Sequence, residues 1–262
     1  MDIGQIRHEE TADAHIERVV ISHPGKHNAI SVAMWGELQR VFETLQARPA
    51  EDAPRVVMVC GEGEAFAAGA DISEFPRFRF QEASLRVYHE ATIAPALDAV
   101  LACDIPLVAQ ITGPCVGGGL EIAACCDLRI GSPTARFGAP IGRLGFPMAP
   151  GELERLARIV PTATLREMLL EGRLLNADEA RDRGLIHRVA ADVAAEAWDT
   201  AQRIAAMSTM AARRNKQTLR QLAAGGLTPE QRHAHFDYAG DAQHREGIAA
   251  FLGGRPPAFS KR

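Results

Sequence analysis

The sequence predicts an α/β fold: a sheet with helical crossovers, completed by a helical C-terminal region. Three observations lead there. Strand-length runs alternate with helical periodicity through the first half of the chain. Two of those runs, RVVMVCG (55–61) and PLVAQITG (106–113), are apolar almost throughout and end in glycine, as strands buried on both faces do. Beyond about residue 190–200 the strand signals stop and amphipathic helical patterns take over. With 262 residues and 47% hydrophobic content the chain can bury one sizeable core, or one domain with an appendage. The expected division is an α/β core over 1–195 and a helical region over 196–262.

Each element has its own signal. HIERVVISHP (15–24) is β-branched and ends at a Pro-Gly turn, so it reads as a strand. In the next segment Ser31 can cap a helix, and Met34, Leu38, Val41, Phe42 and Leu45 recur at helical spacing. The 55–61 strand leads into a loop, GEGEAFAAGADISEF (61–75), and then a helix over about 81–103. The 106–113 strand feeds a glycine run, followed by a helix to about Cys126, and DLRIGS (127–132) is the next strand. Further on, Asn176 and Glu179 form a capping box and Thr228-Pro229 is expected to open a long helix. The amphipathic helices from Ala194 onward exceed what one small core can bury, which predicts self-association.

Composition narrows the function. A formal net charge of −4 does not suit a polyanion-binding protein, so no nucleic-acid partner is expected. The basic cluster Arg213-Arg214-Asn215-Lys216 reads as a solvated helix face. No apolar run approaches the roughly 18 residues of a membrane span. The first residues, MDIGQIRHEE, lack a signal-peptide pattern. Five cysteines, odd in number and without a CxxC pair, read as small buried hydrophobes. A cytoplasmic protein without a membrane partner is the expectation.

The stretch GPCVGGGLEIAACCDLRI (113–130) carries the chemistry. Three consecutive glycines cost backbone entropy, and a carboxylate at Glu121 among Leu120, Ile122, Ala123 and Ala124 costs desolvation. A phosphate-binding P-loop would need a Lys that is absent, and a dinucleotide fingerprint would need glycine where Ile122 stands. There is no nucleophile-elbow motif, and no spacing suits a metal. What remains is an oxyanion hole. A strand-to-helix turn at Gly117–Gly119 leaves backbone N–H groups free at a helix N-terminus, and FAAGADI (66–72) is the natural source of a second donor. The other reading is two tight turns that pack on their neighbours.

Together, and in order, these segments resemble the crotonase, or enoyl-CoA hydratase/isomerase, superfamily. The resemblance rests on NAIS (28–31), FAAGADISEF (66–75), PLVAQITGPCVGGGLEIAACCDLRI (106–130), ARFGAP (135–140) and REGIAAFLGGRPPAF (245–259). It implies a ββα-spiral core and a C-terminal helical region that forms a homotrimer or dimer of trimers. It also implies an acyl-CoA thioester as ligand, with coenzyme A entering as part of the substrate and no permanently bound cofactor. By that resemblance the thioester oxygen sits on the N–H groups of Ala70 and Gly118. Ala68, Ala70, Asp71 and Ile72 line the adenine and pantetheine path, with Gly117 beside the thioester. Lys26, Phe259 and Lys261 are phosphate or adenine contacts.

Hydratases of this family use two carboxylates. The first falls on Glu121, whose apolar neighbours should raise its pKa. The second is expected where Pro140-Ile141 stands, and isoleucine cannot move a proton. Simple hydration by the usual route is therefore not expected, nor is isomerisation in which that position is the only base, and Ile141 should line the acyl pocket. Glu152 is the candidate replacement, although an acid in a first helical turn is favoured by the dipole anyway. Arg143 could meet a substrate carboxylate or be an exposed loop residue; Asp71 and Glu74 should cap or face solvent. Isomerase, decarboxylase and thioester-hydrolase chemistry, or acyl-CoA binding with weak catalysis, all remain open.

Overall fold

The computed structural model describes residues 4–259. Nine strands run β1 Gln5–Glu10, β2 Ile16–Ser22, β3 Val56–Gly61, β4 Leu107–Ile111, β5 Pro114–Val116, β6 Leu128–Gly131, β7 Arg136–Gly138, β8 Leu175–Asn176 and β9 Arg188–Val189. They form a six-stranded sheet in the order β1-β2-β3-β4-β6-β9 and a three-stranded sheet in the order β5-β7-β8. β1 is antiparallel to β2, with Gln5 opposite Ser22; the other pairs of the large sheet are parallel. In the small sheet β5 and β7 are parallel while β7 and β8 are antiparallel.

The period of two along β3 decides which layer each side chain enters. Val57 and Val59 join the main core with Leu38 and Phe42 of the helix Val32–Ala47 and with Leu97 and Val100 of the helix Ala94–Ala102. Val56 and Met58 point to the opposite face, where Ala197, Ala201 and Ala205 of the helix Val193–Ala205 cover them. The large sheet is thus buried on both faces, as its apolar runs require. The 195/196 division falls inside this covering helix, so the sheet's outer layer extends to Ala205.

Several expected elements take a different form. The first strand, β1, reads QIRHEE; charges along an outer strand protect its open edge and hide the apolar alternation. The 81–103 helix is a succession of the α-helix Glu82–Arg86, the π-helical stretch Val87–Ile93 and the α-helix Ala94–Ala102. The long helix from Thr228 is corrected: only Pro229–Ala234 is α-helical. A 3-10 turn, His235–Gly240, follows, and Asp241 caps a new helix, Ala242–Leu252. The basic cluster is not simply solvated either. Lys216 donates to the Ile105 carbonyl at 2.8 Å and pairs with Asp127 at 2.7 Å, which docks the helix Thr209–Ala223 on the core. That helix buries no residue fully, and Leu219 and Leu222 remain exposed. All five cysteines are buried free thiols.

Candidate active site

Two loops meet at the ends of β3 and β5. The first is strapped by the segment 27–30. Asn28 takes a left-handed conformation (φ 57°) and its side-chain amide donates to the carbonyls of Glu62 (2.9 Å) and Ala65 (2.8 Å). Ala68 N–H donates to His27 O, Ile30 N–H to Gly69 O, and Asp71 N–H to Ile30 O. Between these bonded neighbours the Ala70 N–H has no acceptor among the described residues. The Asp71 side chain caps Ser73 N–H, as expected, and also receives Lys26 Nζ at 2.7 Å. The lysine and hydrogen bonds from Ser73 offset the cost of burial and hold the Asp71 carboxyl below its usual pKa.

The second loop answers the question posed by the glycines. Gly117 has φ 50°, and its N–H donates to Gly138 O at 2.9 Å. A Cβ on Gly119 would sit 2.5 Å from the Ala67 carbonyl oxygen, and one on Gly118 would sit 2.8 Å from the Trp35 ring. The first loop and this one therefore pack backbone to backbone, further tied by Val116 N–H to Ala67 O. Gly118 is the first residue of the helix Gly118–Cys125, where an amide has no intrahelical acceptor. The tight packing of these turns leaves the Ala70 and Gly118 N–H groups without acceptors among the described residues, beside one cavity.

That cavity, of about 290 Å³, is lined by Ala68, Ala70, Ile72, Gly117, Gly118, Glu121, Ile141 and Glu152. Six were expected to contact substrate and two to act on it. Phe75, Ile93, Phe146 and Met148 make the rest of the wall largely apolar. Glu121 is 4% exposed, and its carboxyl makes no hydrogen bond or ion pair with any described residue. It is therefore not a structural carboxylate accepting backbone bonds. Burial raises its pKa well above the ordinary range, and the neighbouring charge of Glu152 adds to the effect.

Glu152 occupies the first turn of the helix Pro150–Ala157, yet it is 6% exposed rather than solvated. Its Oε1 lies 2.5 Å from Nδ1 of His89, on the π-helical stretch. Such stretches recur at functional sites. Ile141 opens a short 3-10 helix, Ile141–Leu144, and is half-buried against the cavity. Arg143 is exposed at the rim and donates to Gly172 O at 3.3 Å. Glu74 accepts from Val32 N–H at 2.7 Å.

Some expected contacts lie elsewhere. Lys26 and Asp71 do not line the cavity; they brace its first loop. Phe259 packs against Gly247 and its carbonyl accepts from Arg55, away from the cavity lining of its own chain. Lys261 lies outside the described residues. Sequence reasoning missed His89, Arg79, Tyr88 and Trp35, all in the lining. The Arg79 guanidinium stacks on the rings of Phe75 (4.4 Å) and Phe146 (3.6 Å). Burial lowers its pKa, and burial pushes the Tyr88 phenol up.

The enoyl-CoA hydratase/isomerase family pattern matches residues 11–262. A Mycobacterium leprae protein described as a probable enoyl-CoA hydratase is 34% identical over 250 residues, 93% of this chain and 94% of that protein. The crystal structure of an enoyl-CoA hydratase/carnithine racemase from Magnetospirillum magneticum superposes with a TM-score of 0.92 at 36% identity, covering 100% of this chain and 97% of the other. An enoyl-CoA hydratase from Bacillus anthracis superposes with a TM-score of 0.85 at 26% identity, covering 98% and 99%.

Proposed function

Because the chain belongs to the enoyl-CoA hydratase/isomerase family, we propose that it forms the enolate of an acyl-CoA thioester and moves a proton along the acyl chain. One observation carries this reading: two buried carboxyl groups, Glu121 and Glu152, share a cavity with the free N–H groups of Ala70 and Gly118. The thioester oxygen takes both N–H bonds. Glu152, hydrogen-bonded by His89, removes a proton from the α-carbon of a 3-enoyl thioester. The C–H pair moves into the new C2=C3 bond as the C3=C4 pair shifts, and negative charge passes through the thioester oxygen. Glu121, kept as the acid by burial, protonates the γ-carbon. The proton gained by Glu152 is then returned to Glu121 across the cavity, which resets both groups. Losing one oxyanion-hole donor costs about 3–4 kcal/mol in other enzymes.

The apolar side chain of Ile141 favours isomerisation over hydration, since it holds no water and helps keep the enolate dry. A second reading, hydration of a 2-enoyl thioester, is favoured by Glu152 reaching the cavity, where it could hold water in place of a carboxylate at 141. The CoA portion runs along Ala68–Ile72, with Lys26, Phe259 and Lys261 as candidate contacts. The protein acts as a homotrimer or dimer of trimers in the cytoplasm. Support comes from exposed apolar residues on its C-terminal helices, Leu219, Leu222, Phe251 and Leu252 among them, and from its reduced cysteines. A panel of 2-enoyl-, 3-enoyl- and saturated acyl-CoAs, followed by mass spectrometry and chromatography of the thioesters, tests the reading. Conversion of 3-enoyl to 2-enoyl esters is expected; failure to convert any member would overturn it.

A further inference from the structure

We propose that Arg79 is the subsite for a carboxylate at the far end of the acyl chain, so that the preferred ligands are CoA monothioesters of dicarboxylic acids. The inference rests on the cavity being an acyl-CoA site. Arg79 is a half-buried cation in a mostly apolar wall. Its guanidinium lies over Phe75 and Phe146, and it has neither a hydrogen bond nor an ion pair among the described residues. Its Nε is buried without a partner. The other charges nearby are already committed. Glu152 is hydrogen-bonded to His89, and Arg155 is paired with Asp98 at 2.5 Å. Glu121 is held toward its neutral form.

A half-buried cation without an ion pair is costly; the two rings and the charge of Glu152 offset part of that cost, and a neutral acyl chain adds nothing to the offset. The guanidinium carbon lies over two rings that stand nearly at right angles, and its N–H fork has no partner among the described residues. That fork matches a carboxylate, which can accept two parallel bonds. A hydroxyl or ketone would satisfy part of the fork and leave the charge unneutralised. The short 3-10 helix Ile72–Arg77 joins the Ala70 loop to Arg79, so the same segment would hold the thioester at one end and the distal carboxylate at the other.

The test is isothermal calorimetry with chain-matched, non-reacting pairs: succinyl- against butyryl-CoA, glutaryl- against valeryl-CoA, and adipyl- against hexanoyl-CoA. At least one dicarboxylic ester should bind about tenfold or more tightly than its neutral partner. Arg79→Met should bring that ratio close to one, and Arg79→Lys should keep part of it. Equal binding within every pair by the unmodified protein would overturn the subsite. So would an Arg79→Met variant that weakens both members of a pair alike, which would instead place Arg79 on the CoA portion. Should Arg79→Met fail to fold, the unmodified protein's ratio and the Arg79→Lys ratio decide. Binding of neither ester in any pair would overturn the acyl-CoA reading itself, a result distinct from equal binding.

Discussion

Glu121 carries a sign that can be measured. Its pKa is raised in the folded protein, so the native state holds a proton that the unfolded chain releases near the ordinary carboxyl pKa, roughly 4.3. The stabilisation linked to that proton is complete below this value and is lost as pH rises toward the folded pKa. Glutamine has the same size and cannot ionise. Glu121→Gln should therefore gain stability relative to the parent by about 1.4 kcal/mol per pH unit across that window, and level off above it. Urea unfolding at a series of pH values checks this; parallel curves would mean that the carboxyl is not desolvated. Glu121 was legible in the sequence because a single acid stands in an apolar helix. His89 and Arg79 were not, because YHEAT and RFRFQ carry no periodic or motif signal. Only packing brings His89 to Glu152, which lies 63 residues away.

At the scale of elements, the proposed choice of reaction turns on Ile141, the first residue of the 3-10 helix Ile141–Leu144. An apolar residue there leaves hydration without its usual second carboxylate, so the unmodified protein should hydrate crotonyl-CoA poorly. Ile141→Glu should introduce measurable hydration and lower stability by about 1–3 kcal/mol, since it adds a third acid to the cavity that holds Glu121 and Glu152. Stopped-flow loss of the enoyl absorbance measures the first effect and thermal unfolding the second. Hydration by the parent near 10 s⁻¹, a typical enzyme turnover, would assign the missing role to Glu152. The strands with apolar runs were legible, as were the caps at Ser31 and Asn176. β5, β7 and β8, of two or three residues each, are too short for a pattern to register. The end of the Thr228 helix was missed: the α-helix stops at Ala234, a 3-10 turn continues the helical pattern to Gly240, and Asp241 caps a new start by accepting from Gln243 N–H at 2.7 Å.

Across the whole molecule, the helices beyond Ala205 bury almost none of their own residues. They reach the core through ion pairs such as Arg220 with Asp104 at 2.8 Å, while Phe236, Ile248, Phe251 and Leu252 are exposed. That apolar surface suits a second copy of the chain. Sedimentation at micromolar concentration should show a trimer or hexamer; monomer alone would contradict it. The amphipathic patterns from Ala194 onward already indicated this excess, although they could not show that Val193–Ala205 belongs to the sheet's own outer layer.

In the proposed mechanism the free N–H groups of Ala70 and Gly118, with the carboxyls of Glu121 and Glu152, generate a thioester enolate. Deuterium exchange at the α-carbon of an acyl-CoA in D₂O, followed by mass spectrometry, tests it most directly. Exchange far above the uncatalysed rate is expected, with a decrease of about 10²-fold or more in Glu152→Gln and little change in ester affinity. Absence of exchange on every ester that binds, or normal exchange in Glu152→Gln, would contradict this mechanism.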